Sequence, residues 1–256
     1  MAVATGPGRE IVLFADTFNR YFERENIDAA LAVLGAAGYR VEIAKPKANG
    51  NARPLCCGRT FLAVGKVGEA RHEAERAVDA LTPFVKRGLP IVGLEPSCIF
   101  GFRDEIPKML KSDIAQQLAE QTFTFEEFLA DEAEASRLSL PLGPAARAVL
   151  LHGHCHQKSF GVIPAVERVL RLVPDLKVET VESSCCGMAG AFGYRRDTID
   201  ISLAMAELNL LPAVRNASAE TIIVADGTSC RQQIRDGTGR ESLHVARVLA
   251  ANLARA

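Results

Sequence analysis

Two Cys-Cys-Gly triplets, Cys56-Cys57-Gly58 and Cys185-Cys186-Gly187, recur at one fixed interval, so the chain reads as a duplicated unit. Cys56 maps to Cys185, Cys57 to Cys186, Gly58 to Gly187 and Pro83 to Pro212 at a constant offset of about 130 residues. A Ser-Cys dipeptide follows each triplet, Ser97-Cys98 and Ser229-Cys230, shifted by the few residues that a loop insertion adds. The seventh cysteine, Cys155, precedes the second triplet within His152-Gly153-His154-Cys155-His156. Structural cysteines scatter to wherever a small apolar side chain fits. A paired, periodic arrangement points instead to thiolate chemistry.

The hydrophobic pattern fills in the repeat. Ile11-Val12-Leu13-Phe14 has the continuous apolar character of a buried strand, and a helix follows over about 25–37 with Ile27, Leu31 and Leu34 on one face and Gly38 as its cap. Val41-Glu42-Ile43 is a second strand, leading through a Lys/Asn/Gly/Pro loop to the first triplet. A helix over about 67–86 then leads to a third strand, Leu89 to Leu94. The second half repeats the plan. Ala148-Val149-Leu150-Leu151, Val178-Glu179-Thr180-Val181 and Thr221 to Ala225 are strands, with helices over about 164–172 and 197–214 between them. Strands alternating with helices predict an α/β fold of two pseudo-repeated units, each a small, mostly parallel sheet with flanking helices. The expected divisions are a first repeat over 1–110, a helical connector over 111–144 and a second repeat over 145–256. In the connector, Phe123, Phe125 and Phe128 form either a docking face or local core.

Composition excludes several function classes. Thirty Lys and Arg against 31 Asp and Glu leave no global field for nucleic acid or an anionic membrane. No apolar run approaches the roughly 20 residues a bilayer-spanning helix needs. The opening segment, Met1 to Gly8, lacks the form of a signal peptide, so the expected location is cytoplasmic. In that reducing setting cysteine clusters serve metal or redox chemistry rather than stapling.

Each cysteine lies just past a predicted strand end, and in parallel α/β sheets those ends share the edge where ligands bind. Cys155, Cys185, Cys186 and Cys230 come from three such ends and make a four-thiol set, the usual complement of an iron–sulfur cluster and also a donor set for zinc. The side chains of adjacent Cys185 and Cys186 are expected to diverge, which suits a multinuclear cluster better than one ion. Gly187 is expected to take positive φ and allow close backbone approach. The first half offers Cys56, Cys57 and Cys98, with Asp16 or Thr17 where Cys155 would fall. This is either an incomplete cluster site or one that has lost its metal. His154 and His156 are expected as neighbours of the main site that bond sulfur, tune its potential or pass protons. Arg231 and Arg59 either lower thiolate pKa values, attract an acidic substrate, or are solvated charges.

The stretches His152-Gly153-His154-Cys155-His156-Gln157-Lys158, Cys185-Cys186-Gly187-Met188-Ala189-Gly190 and Ser229-Cys230-Arg231-Gln232-Gln233 resemble the cysteine-rich CCG domain. That domain is shared by heterodisulfide reductases and the iron–sulfur oxidoreductases of flavin-linked 2-hydroxy acid and glycerol-3-phosphate dehydrogenases. The resemblance implies an oxidoreductase component carrying an iron–sulfur cluster, of [4Fe-4S] type. It also implies partners: an FAD-bearing dehydrogenase, a ferredoxin-type iron–sulfur protein and a quinone acceptor. The family's closing Cys-x-x-Cys is reduced here to one cysteine in each copy, with Glu95 and Gly227 in place of the other. This departure weighs against five-cysteine non-cubane clusters and heterodisulfide reduction. No ferredoxin-type run of cysteines and no Gly-x-Gly-x-x-Gly after a strand is present, so the chain is expected to depend on a partner for its flavin. Thiol–disulfide chemistry and a structural zinc module are the rival readings.

Overall fold

The computed structural model of the protein describes residues 8–47 and 53–254. The first seven residues and the middle of the loop that leads to the first triplet lie outside the described residues, and the expectations made for them are not carried further. The chain divides into two compact units, Met1–Pro141 and Leu142–Ala256.

In the first unit, β1 (Glu10–Phe14) leads to α1 (Thr17–Tyr21) and α2 (Arg24–Ala36), then β2 (Arg40–Ile43). After the triplet come α3 (Arg59–Ala63), α4 (Val67–Val85), β3 (Ile91–Gly93), α5 (Pro96–Arg103), α6 (Glu105–Leu110), α7 (Asp113–Glu120), β4 (Thr122–Thr124) and α8 (Phe125–Glu134). The strands order β2-β1-β3-β4, all parallel. Ile11, Val12, Leu13 and Phe14 are at most 1% exposed, as a strand covered on both faces requires. On α4, Ala70, Ala74, Ala77, Val78, Leu81 and Val85 are buried and recur at helical spacing, and the small alanines let the helix sit close to its neighbours. The end of α2 is closed by a Schellman motif. Gly38 takes φ +85°, its N–H donates to Gly35 O, and Tyr39 N–H donates to Leu34 O at 2.9 Å. Between the two helices of the interval 111–144, Thr122–Thr124 adds a fourth strand that the short Thr-Phe-Thr sequence does not announce. Phe125 and Phe128 are buried, and Phe128 meets the Tyr39 ring edge-on at 5.2 Å.

In the second unit, β5 (Ala148–His152) leads to α9 (Cys155–Ser159), α10 (Ile163–Leu170), β6 (Lys177–Thr180), a 3₁₀ turn (Phe192–Tyr194), α11 (Ile199–Glu207), α12 (Leu210–Asn216), β7 (Ile222–Ala225), α13 (Thr228–Thr238) and α14 (Val245–Ala251). The strand order β6-β5-β7 repeats β2-β1-β3, again parallel throughout. The fold is therefore α/β, with two small parallel sheets flanked by helices, as the sequence predicts. The single helix expected over 197–214 is instead two, because Pro212 offers no N–H to the carbonyl four residues back and its ring would crowd that carbonyl. Placed in the first turn of α12, the same proline costs little. Cys186 and Cys230 belong to the unit's hydrophobic cluster, together with Leu150, Leu210, Leu211 and Ile223. Among the described residues no helix is long and apolar enough to cross a membrane.

Candidate metal centre

In the second unit β5 ends at His152, and Cys155 opens α9 shortly after it. His154 caps that helix. Its Nδ1 accepts from His156 N–H at 3.1 Å, while Gln157 Oε1 accepts from His154 N–H at 3.0 Å. Beyond β6 come Cys185 and Cys186, and beyond β7 Cys230 is the third residue of α13. Three strand ends of one parallel sheet thus supply the four cysteines. Cys155 and Cys230 lie in the first turns of the helices that follow those strand ends. The His152–His156 segment is correspondingly not extended throughout, since α9 begins inside it.

The sulfurs form a chain. Cys155 Sγ lies 3.3 Å from Cys185 Sγ, and the Cys186 thiol is within hydrogen-bonding reach of both Cys185 and Cys230. The expected divergence of Cys185 and Cys186 is therefore not seen, since their sulfurs lie within hydrogen-bonding reach of each other. The proton held toward Cys185, with burial and nearby thiolate charge, pushes Cys155 up. Cys185, receiving from Cys155 and Cys186, is held far below the usual thiol range. Cys186 is pushed up by its bonds to Cys185 and Cys230. Cys230 is drawn well down by the Cys186 thiol and, against its burial, by the imidazoles of His152 and His154. The direction alternates along the chain, with Cys155 and Cys186 pushed up and Cys185 and Cys230 drawn down.

The backbone around Cys185 is fixed by Gly187, at φ +86°. Its N–H donates to Cys185 Sγ at 3.2 Å, and a Cβ built there would lie 2.1 Å from Ser202 O. Positive φ is as expected, but the close approach is to the Ser202 carbonyl of α11. Three groups with no bracing role assigned from sequence hold the site together. Gln157 Nε2 donates to Asp226 Oδ2 at 2.8 Å, and Asp226 Oδ1 accepts from Val245 N–H at 3.0 Å, all within the buried interior. The helix carrying Cys155 is thereby tied to the end of β7, just before Cys230. Lys158 Nζ donates to the carbonyls of Ser183 and Ser184, holding the approach to Cys185. Such contacts join residues far apart in sequence, and no local pattern signals them. Arg231 donates to Ala225 O at 2.7 Å and to Thr228 Oγ1 at 3.2 Å, joining the α13 N-terminus to β7.

His152 Nδ1 lies 2.9 Å from Ser183 Oγ. A ring nitrogen of His152 and the sulfurs of Cys186 and Cys230 all lie within 4.8 Å of one another, and all three residues are buried.

The first unit repeats this frame with different chemistry. Asp16 caps α1 as His154 caps α9, so Thr17 occupies the place of Cys155 and hydrogen-bonds Cys56. Glu95 caps α5 and Gly227 caps α13, with Cys98 and Cys230 each third in their helices. Gly58 matches Gly187, at φ +81° with its N–H 3.4 Å from Cys56 Sγ. Cys57 is within reach of both Cys56 and Cys98. Here, however, the charged neighbours are acidic. Bonding to Cys57, with burial, pushes Cys56 up. Cys98 is lowered by Cys57 but raised more by burial, Asp16 and Glu95, and ends at about 12. Burial, with the Glu95 charge, raises Asp16 itself to about 6. Arg59 pairs with Glu105. In the first unit all three thiols are thus pushed up, whereas in the second Cys185 and Cys230 are drawn down.

Residues 149–235, which hold Cys155, Cys185, Cys186 and Cys230, match the family model described as a cysteine-rich domain, CCG. Over nearly its whole length the chain is similar to one component of the anaerobic glycerol-3-phosphate dehydrogenase of Escherichia coli (strain K12), with 26% identity over 246 residues, 96% of this chain and 59% of that protein. It is also similar to D-2-hydroxyglutarate dehydrogenase of Pseudomonas putida (strain KT2440), at 28% over 244 residues, covering 94% of this chain and 22% of the relative. The corresponding enzyme of Escherichia coli (strain K12) is 26% identical over 236 residues, again 22% of its length. The chain thus spans a little over half of the first relative and about a fifth of the others.

Proposed function

We propose that the second unit holds an iron–sulfur centre through Cys155, Cys185, Cys186 and Cys230, and that the chain is an electron-transfer module of a flavin-linked dehydrogenase. The observation that carries this is the convergence of four thiols from three strand ends within a CCG-type domain. Sulfur donors, two of them drawn toward thiolate, suit such a centre. The donors also extend beyond one ion's shell, since Cys155 and Cys185 lie outside the tight group of His152, Cys186 and Cys230. That favours a multinuclear group, of [4Fe-4S] type, over a single zinc. When bound, such a group supplies one-electron transfer. The protein's part is to draw Cys185 and Cys230 toward thiolate, keep the buried end dry and brace the donor-bearing helices through Gln157 and Asp226.

The names of the relatives, dehydrogenases of glycerol-3-phosphate and of D-2-hydroxyglutarate, support a partner that oxidises a hydroxyl-bearing substrate of one of these classes. FAD on that partner, and a quinone or a ferredoxin-type protein as the next carrier, are added as part of the proposal. The first-unit cysteines Cys56, Cys57 and Cys98 are proposed to remain thiols. Anaerobic reconstitution with iron and sulfide tests the reading. Bound iron and an EPR signal on reduction are expected, and both should be lost in Cys186→Ala. Colourless, iron-free protein after reconstitution would sink it, and stoichiometric zinc in its place would support a structural zinc module. A second reading rests on the 3.3 Å separation of Cys155 and Cys185, both partly exposed, which suits thiol–disulfide exchange. Mild oxidation of metal-free protein followed by peptide mapping would then find that pair as a disulfide.

A further inference from the structure

We infer that His152 is a metal ligand of the second unit, its Nε2 supplying the donor that the missing closing cysteine would have supplied. This rests on the reading that the second unit holds a metal centre.

His152 is the last residue of β5 and is 1% exposed. Nδ1 is engaged at 2.9 Å by Ser183 Oγ, whereas Nε2 is buried with no nitrogen or oxygen partner, and the ring interacts with the Cys230 sulfur. The His152 ring lies with the sulfurs of Cys186 and Cys230, donor atoms within 4.8 Å of one another, the compactness of a shared ion. The other side of the ring fits too. Metal-bound imidazoles give their second N–H to an oxygen, which fixes the tautomer and aims the ligating nitrogen. Ser183 Oγ is that oxygen, on a segment whose carbonyl is held by Lys158 Nζ.

The position of the missing cysteine explains the substitution. A side chain at Gly227 has no room, since a Cβ there would lie 2.3 Å from Cδ2 of His154. His154 therefore fills the space beside the α13 cap, and His152, two residues earlier, presents nitrogen to Cys230 from the adjacent strand. The first unit shows the contrast. β1 ends at Phe14 against Gly93 as β5 ends at His152 against Ala225, so the equivalent of His152 there is a hydrocarbon ring.

The test is carried out on the full chain, natural and histidine-15N-labelled, loaded anaerobically with iron and sulfide or separately with cobalt(II). Pulsed EPR should show a nitrogen coupling of directly bound strength that changes with the label and disappears in His152→Asn. Metal affinity should fall on the order of tenfold or more in that variant. Ser183→Ala, which leaves Nε2 in place, should keep the coupling while weakening affinity. The labelled wild type needs no variant to fold. A cluster without such coupling, or coupling that survives in His152→Asn, would overturn the inference while leaving the proposed function intact. Failure to form any cluster, with nitrogen-coupled cobalt, would overturn the function and keep the inference. Absence of both would end both.

Discussion

Gly187 meets two demands that a side chain cannot: a left-handed backbone and a carbonyl almost in contact. Gly187→Ala is expected to destabilise the second unit by about 3 kcal/mol, combining backbone strain with displacement of Ser202. Gly190, also at positive φ but with nothing within 4 Å of a built Cβ, should lose only about 1 kcal/mol on the same change. Urea unfolding of the two variants separates these cases. Asp16 makes a prediction about pH. Its carboxyl is raised from 3.8 to about 6 by burial and by Glu95, so the folded state binds the proton more tightly than the unfolded chain. The stability this gives is complete below pH 3.8 and is lost as pH rises through about 6, by up to about 3 kcal/mol. Unfolding midpoints of metal-free protein should therefore fall across that window. In Asp16→Asn, which preserves a cap, the slope should flatten, and an unchanged slope would contradict the assignment. The cysteines were legible at this scale because their side chains announce their chemistry. The part played by His152 was not, because Ser183 lies 31 residues away and meets it only in the folded sheet.

At the scale of elements, the strands β1 and β5 could be read directly, since burial on both faces demands an unbroken apolar run. Helices long enough to show a period, α2 and α4, were equally legible. The five-residue helices α1 and α9 are too short for any period, yet they decide which atom, Thr17 Oγ1 or Cys155 Sγ, faces each triplet. The paired prolines have unequal consequences. Pro212 lies in an N-terminal turn where no N–H is required, whereas Pro83 lies inside α4 and costs the hydrogen bond to the Asp79 carbonyl. Pro83→Ala is thus expected to raise stability by about 1–3 kcal/mol, and Pro212→Ala to change it by less than about 0.5 kcal/mol. Thermal unfolding followed by circular dichroism measures both.

For the whole molecule, the two units make the metal content a divisible quantity. Residues 142–256 expressed alone should bind as much iron per chain as the intact protein, because that unit holds the four cysteines proposed as donors. A larger amount on the full chain would show that Cys56, Cys57 and Cys98 also bind. The duplication was legible from the fixed interval between triplets, but the difference in charge around them was not. It depends on Asp16 and Glu95 being buried beside Cys98 in one unit, and on imidazoles beside Cys230 in the other. The duplicated frame also gives the molecule its own blank. Phe14 and Thr17 mark where His152 and Cys155 would stand, so any spectrum of the intact chain is recorded alongside an equivalent scaffold that lacks those donors. Writing Phe14→His and Thr17→Cys into that blank would ask how many atoms separate an ordinary α/β unit from one that holds a metal.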